Sequence, residues 1–317
     1  MNGPKILAVR LGAMGDVLAA LPAVASLKHS IPHSKICWAI EPKWSVLLEG
    51  NPYVDSTVIV NRKNFSGLQD AWRNLRSERF DLAVDFQGLI KSALVATIAR
   101  PERIIGFDSK AARESAASWF YSTRVQIHTS HAVERNLELA GAAGASSILR
   151  TFPLPQGRAE GRLPEGDFVL ASPLAGWGAK QWPADYYAQL AERLRRDCGI
   201  PLVLNVPHPM NIDGVPTHVS SLAGLIHATR QAAAVVGIDS GPLHLAAALG
   251  KPGVAIYGPT DPARNGPYGG TVTVLRSDRA VTSYRRTADP DESMRDISPD
   301  QVFHALEPIL SAAIKRG

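Results

Sequence analysis

Cysteine is scarce in this sequence of 317 residues, which contains only Cys37 and Cys198. The two lie far apart in the chain, and neither belongs to a C-x-x-C pair or to a cluster of cysteine and histidine. Because a disulfide framework or a zinc site needs such spacings, the sequence supports neither. We expect both to be inert thiols, in the core or near the surface, in two different domains.

Long hydrophobic runs are also missing. No apolar run reaches the roughly 18 residues that a membrane span requires, and the N-terminus lacks the long apolar stretch and the small-residue cleavage site of a signal peptide. Hydrophobic residues make up 45% of the sequence and charged residues 20%, a balance that is typical of globular proteins. These features predict a cytoplasmic globular protein.

The charge is positive, with a formal net value of +5 and a pI near 9.3. This excess favours an anionic partner, and a nucleic acid, a phosphorylated metabolite or an anionic membrane face would each satisfy it. The sequence has no RNP-like, zinc-finger or KH signature and no dense basic run with interleaved aromatic residues. We therefore expect no nucleic-acid partner.

The length predicts two domains of about 150 residues each. Both halves begin with a short apolar strand, a glycine-containing loop and a helix, which is the opening of a doubly wound parallel sheet. Between them lies a stretch rich in glycine and proline without hydrophobic periodicity, as in a linker. The predicted divisions are an N-terminal domain (1–152), a linker (153–166), a C-terminal domain (167–297) and a terminal helix (298–317).

The terminal helix has a clear start signal. Ser298 stands at the cap, Pro299 fits the first helical position, and Gln301 is spaced as the capping-box partner of Ser298. Apolar residues then recur at helical spacing. The sequence therefore predicts a helix that begins at Pro299.

A nicotinamide cofactor is not expected. Gly12 and Gly15, in the first loop, do not complete the G-x-G-x-x-G pattern of dinucleotide sites, and Glu41 is the only acidic candidate after the second strand. Asp16 follows in the same loop. Its carboxylate can cap the first helix, where it is favourable by roughly 0.5–1 kcal/mol, or serve as a general base at the carboxyl edge of the sheet. Spacing alone leaves both roles open.

The stretch 235–250 has the layout of an anion site. An apolar strand ends at Asp239, a short loop follows, and a helical pattern closes at Gly250. Asp239 or Ser240 can cap this helix, Gly241 allows close approach to the backbone, and the free N–H groups favour a phosphate. An ordinary capped turn that binds nothing has the same spacing. His244, one turn into the helix, is either a packed histidine or a donor to the phosphate.

Several motifs resemble those of one family, the ADP-heptose:lipopolysaccharide heptosyltransferases of glycosyltransferase family 9. The loop D-S-G-P-L-H-L (239–245) is followed by Y-G-P-T-D-P (257–262), and the fourth strand by D-F-Q-G-L-I-K-S (85–92). Ala112-Arg113-Glu114 and the helix start His131–Arg135 fit the same pattern. The resemblance spans nearly the whole chain and is closest to members that add the first heptose of the core.

The resemblance implies the GT-B architecture, with two Rossmann-like doubly wound parallel-sheet domains facing each other across a cleft. In this architecture the terminal helix (298–317) crosses back to brace the N-terminal domain. It implies an inverting, metal-independent transfer of heptose from ADP-heptose to a Kdo sugar of a Kdo-lipid A acceptor, without a cofactor. Such an enzyme works at the cytoplasmic face of the inner membrane, where basic residues help a peripheral protein to dock on the anionic surface.

Site residues follow from the matching positions. Asp16 is the implied catalytic base. The implied donor-binding residues are Lys180, Asp239, Ser240, Gly241 and His244. The implied acceptor-binding residues are Lys63, Lys91, Arg113 and Arg135.

The sequence departs from the family in one turn. Ala175-Gly176 stands where first heptosyltransferases place a pair of hydroxyl residues, so any diphosphate contact there must come from backbone N–H groups. The loop 207–216 is shorter than the family's helix, and the sequence assigns it no contact. Three alternatives stay open: transfer of another sugar, a GT-B-like nucleotide-sugar epimerase, and a homologue that only binds the nucleotide sugar.

Overall fold

The computed structural model describes residues 3–283 and 285–314. The chain divides into two compact units at Pro155 and Gln156, inside the predicted linker. Residues after the division bond to the second unit: the backbone N–H of Arg158 donates to the Ala223 carbonyl, and the Glu160 carboxylate accepts from the hydroxyl of Ser221 at 2.7 Å. Each unit is an α/β domain.

The first unit contains a parallel sheet of six strands in the order β3-β2-β1-β4-β5-β6. The strands are β1 (Lys5–Val9), β2 (Lys35–Ile40), β3 (Ser56–Ile59), β4 (Leu82–Asp85), β5 (Arg103–Phe107) and β6 (Thr123–Val125). The helices are α1 (Met14–Ser30), α2 (Phe65–Ser77), α3 (Ile90–Ile98) and α4 (Ala132–Ala142). The central strands are buried on both faces, so they have continuous apolar runs.

The second unit repeats this topology, with strand order β12-β11-β10-β7-β8-β9. The strands are β7 (Val169–Ser172), β8 (Leu202–Val206), β9 (Thr217–Val219), β10 (Ala234–Ile238), β11 (Gly253–Tyr257) and β12 (Val272–Arg276). The helices are α5 (Ala184–Cys198), α6 (Leu222–Gln231), α7 (Gly241–Ala248), α8 (Pro262–Asn265), α9 (Glu292–Arg295) and α10 (Pro299–Ile314). The prediction of two Rossmann-like, doubly wound parallel-sheet domains is therefore confirmed.

In both sheets the winding direction reverses between two central strands, β1 and β4 in the first unit and β7 and β10 in the second. Loops after these strands leave the carboxyl edge of the sheet and diverge, which opens a crevice where ligands of such folds bind. The loops that carry Asp16, Asp85, Lys180 and Asp239 all start here. The topology therefore points to one candidate site in each unit.

The last helix begins as predicted. The Ser298 backbone N–H donates to Gln301 Oε1 at 2.8 Å, and the Gln301 N–H donates to Ser298 Oγ at 3.2 Å, so the capping box is confirmed. The helix packs its apolar face into the core of the second unit, where Phe303 and Leu306 are buried. Its bracing of the first domain stays a prediction, and residues 315–317 of the predicted helix lie outside the described part of the chain.

Two polar segments contribute residues to the core of the second unit. The polar loop 207–216 contributes two core residues, Ile212 and Val215, which pair in an isolated bridge. The segment after β12, which is rich in Arg and Asp, contains α9, whose Met294 is buried in the core of the second unit. Among the described residues, no helix is long and apolar enough to cross a membrane.

Replacing Ser298 by alanine is expected to destabilise the second unit by about 1 kcal/mol, because one N-terminal N–H of α10 loses its acceptor. The thermal midpoint of that unit should fall by about 3 °C. Ser311→Ala, at an exposed position of the same helix, is the matched control and should not lower the midpoint. Equal midpoints for Ser298→Ala and wild type would contradict the role of the cap.

Candidate functional sites in the two units

Asp16 lies at the start of α1, and its two carboxylate oxygens have different partners. Ala13 is the N-cap of α1, and Oδ2 of Asp16, the N3 residue, accepts its backbone N–H at 3.2 Å, as the N3 partner of a capping box does. Oδ1 lies 2.6 Å from Nη2 of Arg10 and 2.7 Å from Nη2 of Arg113. The side chain is 20% exposed. The two roles weighed from the sequence are therefore compatible, since one oxygen accepts the N–H at the helix start and the other faces the two arginines.

Two arginines keep this carboxylate ionised. Burial raises the pKa of Asp16, but the positive charges of Arg10 and Arg113 outweigh burial and lower the pKa below its ordinary value. Arg113 is 45% exposed, whereas the Arg10 side chain is only 5% exposed. Arg10 is thus a fixed internal partner, and Arg113 is a partner that solvent or a ligand can reach.

Arg10 is positioned from across the sheet. It directly follows β1, and its Nη1 donates to the carbonyl of Phe86, the residue after the neighbouring strand β4. Its own carbonyl accepts the indole N–H of Trp38 at 3.1 Å. Arg10 could not be predicted as a site residue from the sequence, because an arginine after a strand is usually solvated.

The motif D-F-Q-G-L-I-K-S (85–92) mainly fixes the shape of the loop between β4 and α3. Asp85 is fully buried and accepts hydrogen bonds from Tyr121, Ser92 and the backbone N–H groups of Gln87 and Gly88. Burial raises the pKa of Asp85 although these hydrogen bonds oppose the shift. Gln87 Oε1 accepts the N–H of Leu11 at 2.8 Å, which links this loop to the one that carries Asp16.

The four predicted acceptor residues lie in different surroundings. Arg113 contacts Asp16, and Arg135 donates to the Ala111 carbonyl at 2.6 Å in the turn just before Arg113. Arg135 also lines a polar pocket of about 300 Å³ with Lys110 and His128. Lys91 is half-buried in the first turn of α3. Lys63 is exposed in the loop that follows the edge strand β3.

In the second unit, Lys180 and Asp239 form an ion pair at the reversal point between β7 and β10. Lys180 Nζ lies 2.6 Å from Asp239 Oδ2, and His244 Nε2 lies 3.8 Å from the other oxygen. Burial raises the pKa of Asp239, but the neighbouring His244 and the charge of Lys180 prevail and lower the pKa to about 2. Asp239 therefore orients two predicted donor residues.

The start of α7 leaves its N–H groups without a side-chain cap. Ser240 occupies the N-cap position, yet its hydroxyl accepts no capping hydrogen bond and is buried without a partner. Thr260, after the neighbouring strand β11, also has a buried hydroxyl without a partner. Because β10 and β11 are parallel, both hydroxyls follow the same edge of the sheet. Thr260 belongs to the motif Y-G-P-T-D-P, but the spacing of that motif alone does not indicate a role for its hydroxyl.

Trp177 was also missed. Lys180 Nζ lies 4.2 Å and the Arg286 guanidinium carbon 5.4 Å from the centre of its indole ring, so one aromatic ring carries two cations. The segment with Arg286 is held against the loop, since the Ala179 N–H donates to the Thr287 carbonyl. The turn that lacks hydroxyl residues at Ala175 and Gly176 is thus flanked by positive charge.

The side chains in the described parts of the chain were compared with the ligand sets that metal ions require. No group of three or more His, Cys, Asp or Glu side chains there could hold a metal ion. Asp289-Pro290-Asp291 spells D-x-D, a pattern associated with metal-dependent sugar transfer. Asp291, however, is the N-cap of α9 and accepts from the backbone N–H and the hydroxyl of Ser293.

Comparisons with known proteins show which family the chain resembles. A family model described as glycosyltransferase family 9 (heptosyltransferase) matches residues 69–294. Lipopolysaccharide heptosyltransferase 1 of Escherichia coli K12 is 30% identical over 87% of this chain and 94% of its own length. Lipopolysaccharide heptosyltransferase 2 of Salmonella typhimurium is 26% identical over 97% of this chain and 99% of its own length. The solved structure of E. coli heptosyltransferase WaaC with ADP matches with a TM-score of 0.79 and 27% identity, covering 96% of this chain and 99% of that one.

Replacing Arg113 by alanine is expected to raise the pKa of Asp16, because one of the two cations that offset burial is removed. Carbon-13 NMR titration of labelled aspartate carboxylates measures the shift. Arg103→Ala, which removes an exposed arginine of β5, is the control and should leave the titration unchanged. An Asp16 pKa equal to that of wild type in Arg113→Ala would contradict the coupling.

Proposed function

Because the chain belongs to glycosyltransferase family 9, the heptosyltransferase family, we propose that it transfers heptose from ADP-heptose to a Kdo sugar of the lipopolysaccharide inner core. The curated relatives named lipopolysaccharide heptosyltransferase 1 favour a Kdo-lipid A acceptor, and the match to WaaC with ADP favours an adenine nucleotide donor. The observation that carries the proposal is Asp16, an ionised and partly exposed carboxylate held between two arginines.

In this proposal Asp16 is the general base. It takes the proton of the acceptor hydroxyl while the oxygen forms a bond to the anomeric carbon of the heptose. The bond from that carbon to the diphosphate breaks, and ADP leaves with the electron pair. Since the oxygen attacks from the face opposite to ADP, the anomeric configuration inverts.

Arg113 connects acceptor binding to the strength of this base. With both arginines in place, the pKa of Asp16 is low and the carboxylate is a weak base. A Kdo carboxylate that binds the exposed Arg113 shares its positive charge, so the pKa of Asp16 rises towards the range useful for proton transfer. Arg135 and Lys91 would hold further acidic groups of the acceptor, and Lys63 stays a prediction.

The leaving diphosphate is bound by the second unit. Lys180 supplies a cation, and the uncapped start of α7 supplies N–H groups with the positive end of the helix dipole. His244, Ser240 and Gly241 complete the donor site, and Asp239 orients the lysine and the histidine. We propose that these groups stabilise the departing ADP without a metal ion or another cofactor.

The acceptor also suggests where the protein works. A Kdo-lipid A acceptor is embedded in the inner membrane, and a net charge of +5 favours contact with an anionic lipid surface. We propose a cytoplasmic protein that associates peripherally with the inner membrane. No nucleic-acid partner is part of the proposal.

Replacing Asp16 by asparagine is expected to lower transfer to Kdo-lipid A by at least about 100-fold, the usual range for loss of a general base. Binding of ADP-heptose, measured by calorimetry, should stay within a few-fold of wild type. Asp213→Asn, at an exposed position, is the matched control. Turnover in Asp16→Asn equal to wild type would end the base assignment, and exchange of solvent protons into free ADP-heptose by wild type would identify an epimerase instead.

Replacing Lys180 by alanine is expected to weaken ADP binding by about tenfold or more, because the diphosphate loses a cation and meets an uncompensated Asp239. AMP, which lacks the second phosphate, should lose less. Lys180→Arg keeps the charge and should retain much of the affinity for ADP. Arg285→Ala removes an exposed cation of the same unit; it is the control and should bind ADP as wild type does. Unchanged ADP affinity in Lys180→Ala would remove the lysine from the donor site.

A further inference from the structure

Helix α2 carries an exposed apolar stripe. Phe65, Leu68 and Trp72 are spaced three and four residues apart, so they share one side of the helix. Their exposed fractions are 74%, 44% and 51%. Single exposed hydrophobic residues are common, but a continuous stripe of large ones indicates an interaction surface.

The stripe is not needed to attach the helix to its own domain. Ala71 and Leu75 are the residues of α2 that pack into the core of the first unit. The helix start is fixed independently, because Asn64 accepts the Gly67 N–H at 2.8 Å. The exposed face is therefore available to a partner while the helix stays folded.

Positive charge borders the stripe. The segment 61–79 contains five basic and two acidic side chains, a net charge of +3. Three of the arginines are paired with carboxylates, Arg62 with Glu41, Arg73 with Asp70 and Arg79 with Glu102. Arg76 lies one turn after Trp72, and its guanidinium carbon is 5.5 Å from the centre of a ring of that residue. A helix with exposed Trp, Phe and Leu bordered by arginines has the composition of one that lies in the interface of an anionic bilayer.

We propose that α2 docks the protein on an anionic lipid bilayer, with Phe65, Leu68 and Trp72 among the headgroups and the flanking arginines on lipid phosphates. A second copy of the chain fits this face less well, because two faces of net positive charge would repel each other. The inference deepens the proposed function by naming the surface that meets the membrane. Docking itself requires neither donor nor acceptor, so the two can fail separately.

Co-sedimentation with lipid vesicles tests the proposal. Wild type is expected to bind vesicles of phosphatidylcholine and phosphatidylglycerol, and to bind pure phosphatidylcholine about tenfold more weakly. Phe65→Ser combined with Trp72→Ser should lose about tenfold or more of the binding to the anionic vesicles. Trp119→Ser removes a tryptophan that is 77% exposed elsewhere in the same unit. It is the matched control and should bind as wild type does.

A second measurement locates the contact. Vesicles with brominated acyl chains should quench part of the tryptophan fluorescence of wild type, and Trp72→Phe should remove that part while Trp119→Phe leaves it. Thermal midpoints of all variants should equal that of wild type, since Phe65, Trp72 and Trp119 are all exposed. If the serine variant is unstable, Phe65→Ala combined with Trp72→Ala replaces it.

Three results would overturn the proposal. The first is equal vesicle binding by wild type and the double variant. The second is binding only when the vesicles contain the lipid acceptor, which would assign the stripe to the acceptor's acyl chains. The third is a concentration-dependent dimer of wild type that the double variant does not form, which would assign the stripe to contact with a second copy of the chain. The double variant should transfer heptose to a deacylated, water-soluble acceptor as fast as wild type does. If wild type itself does not transfer heptose to this acceptor, that result counts against the proposed transfer and not against membrane docking.

Discussion

The ion pair of Arg10 and Asp16 is the contact on which the first site depends. A guanidinium with 5% exposure is costly unless its charge is matched. Asp16 supplies the counter-charge, and the Phe86 carbonyl accepts a hydrogen bond from the far end of the group. The loop after β1 must therefore follow a course that brings both partners to Arg10. The buried hydrogen bonds of Asp85 and Gln87 hold the opposing loop in the matching shape.

The two units contain the same arrangement of charged residues, to which we assign different functions. Each places a cation and a carboxylate at the point where the strand order reverses, Arg10 with Asp16 in one and Lys180 with Asp239 in the other. In the first pair the arginine is buried and the carboxylate is the more open partner. In the second the carboxylate is the more buried partner, 8% exposed against 15% for the lysine. The more open member of each pair is the one to which we assign chemistry: a base in the first unit and a phosphate-binding cation in the second.

Much of the fold could be predicted from the sequence, because its strongest signals are local. Strand, loop and helix around Asp16 and again around Ser240, and the capping box of Ser298, each lie within a few residues of chain. The short strands β5, β6 and β9 were not predicted, because each has only three to five residues and some of those are exposed. Arg10 was missed for another reason, since its burial depends on a carbonyl 76 residues away. Trp177 and Arg286 likewise meet only after folding, and no spacing in the sequence relates them.

The shared ring of Trp177 has a practical consequence. Indole emission responds to nearby charge, and here two cations lie against one indole at the edge of the predicted diphosphate site. An anion that draws either cation away would change the environment of that ring directly. The protein thus has an intrinsic optical probe at this loop, so that occupancy of the second unit could be followed in real time without attaching a dye.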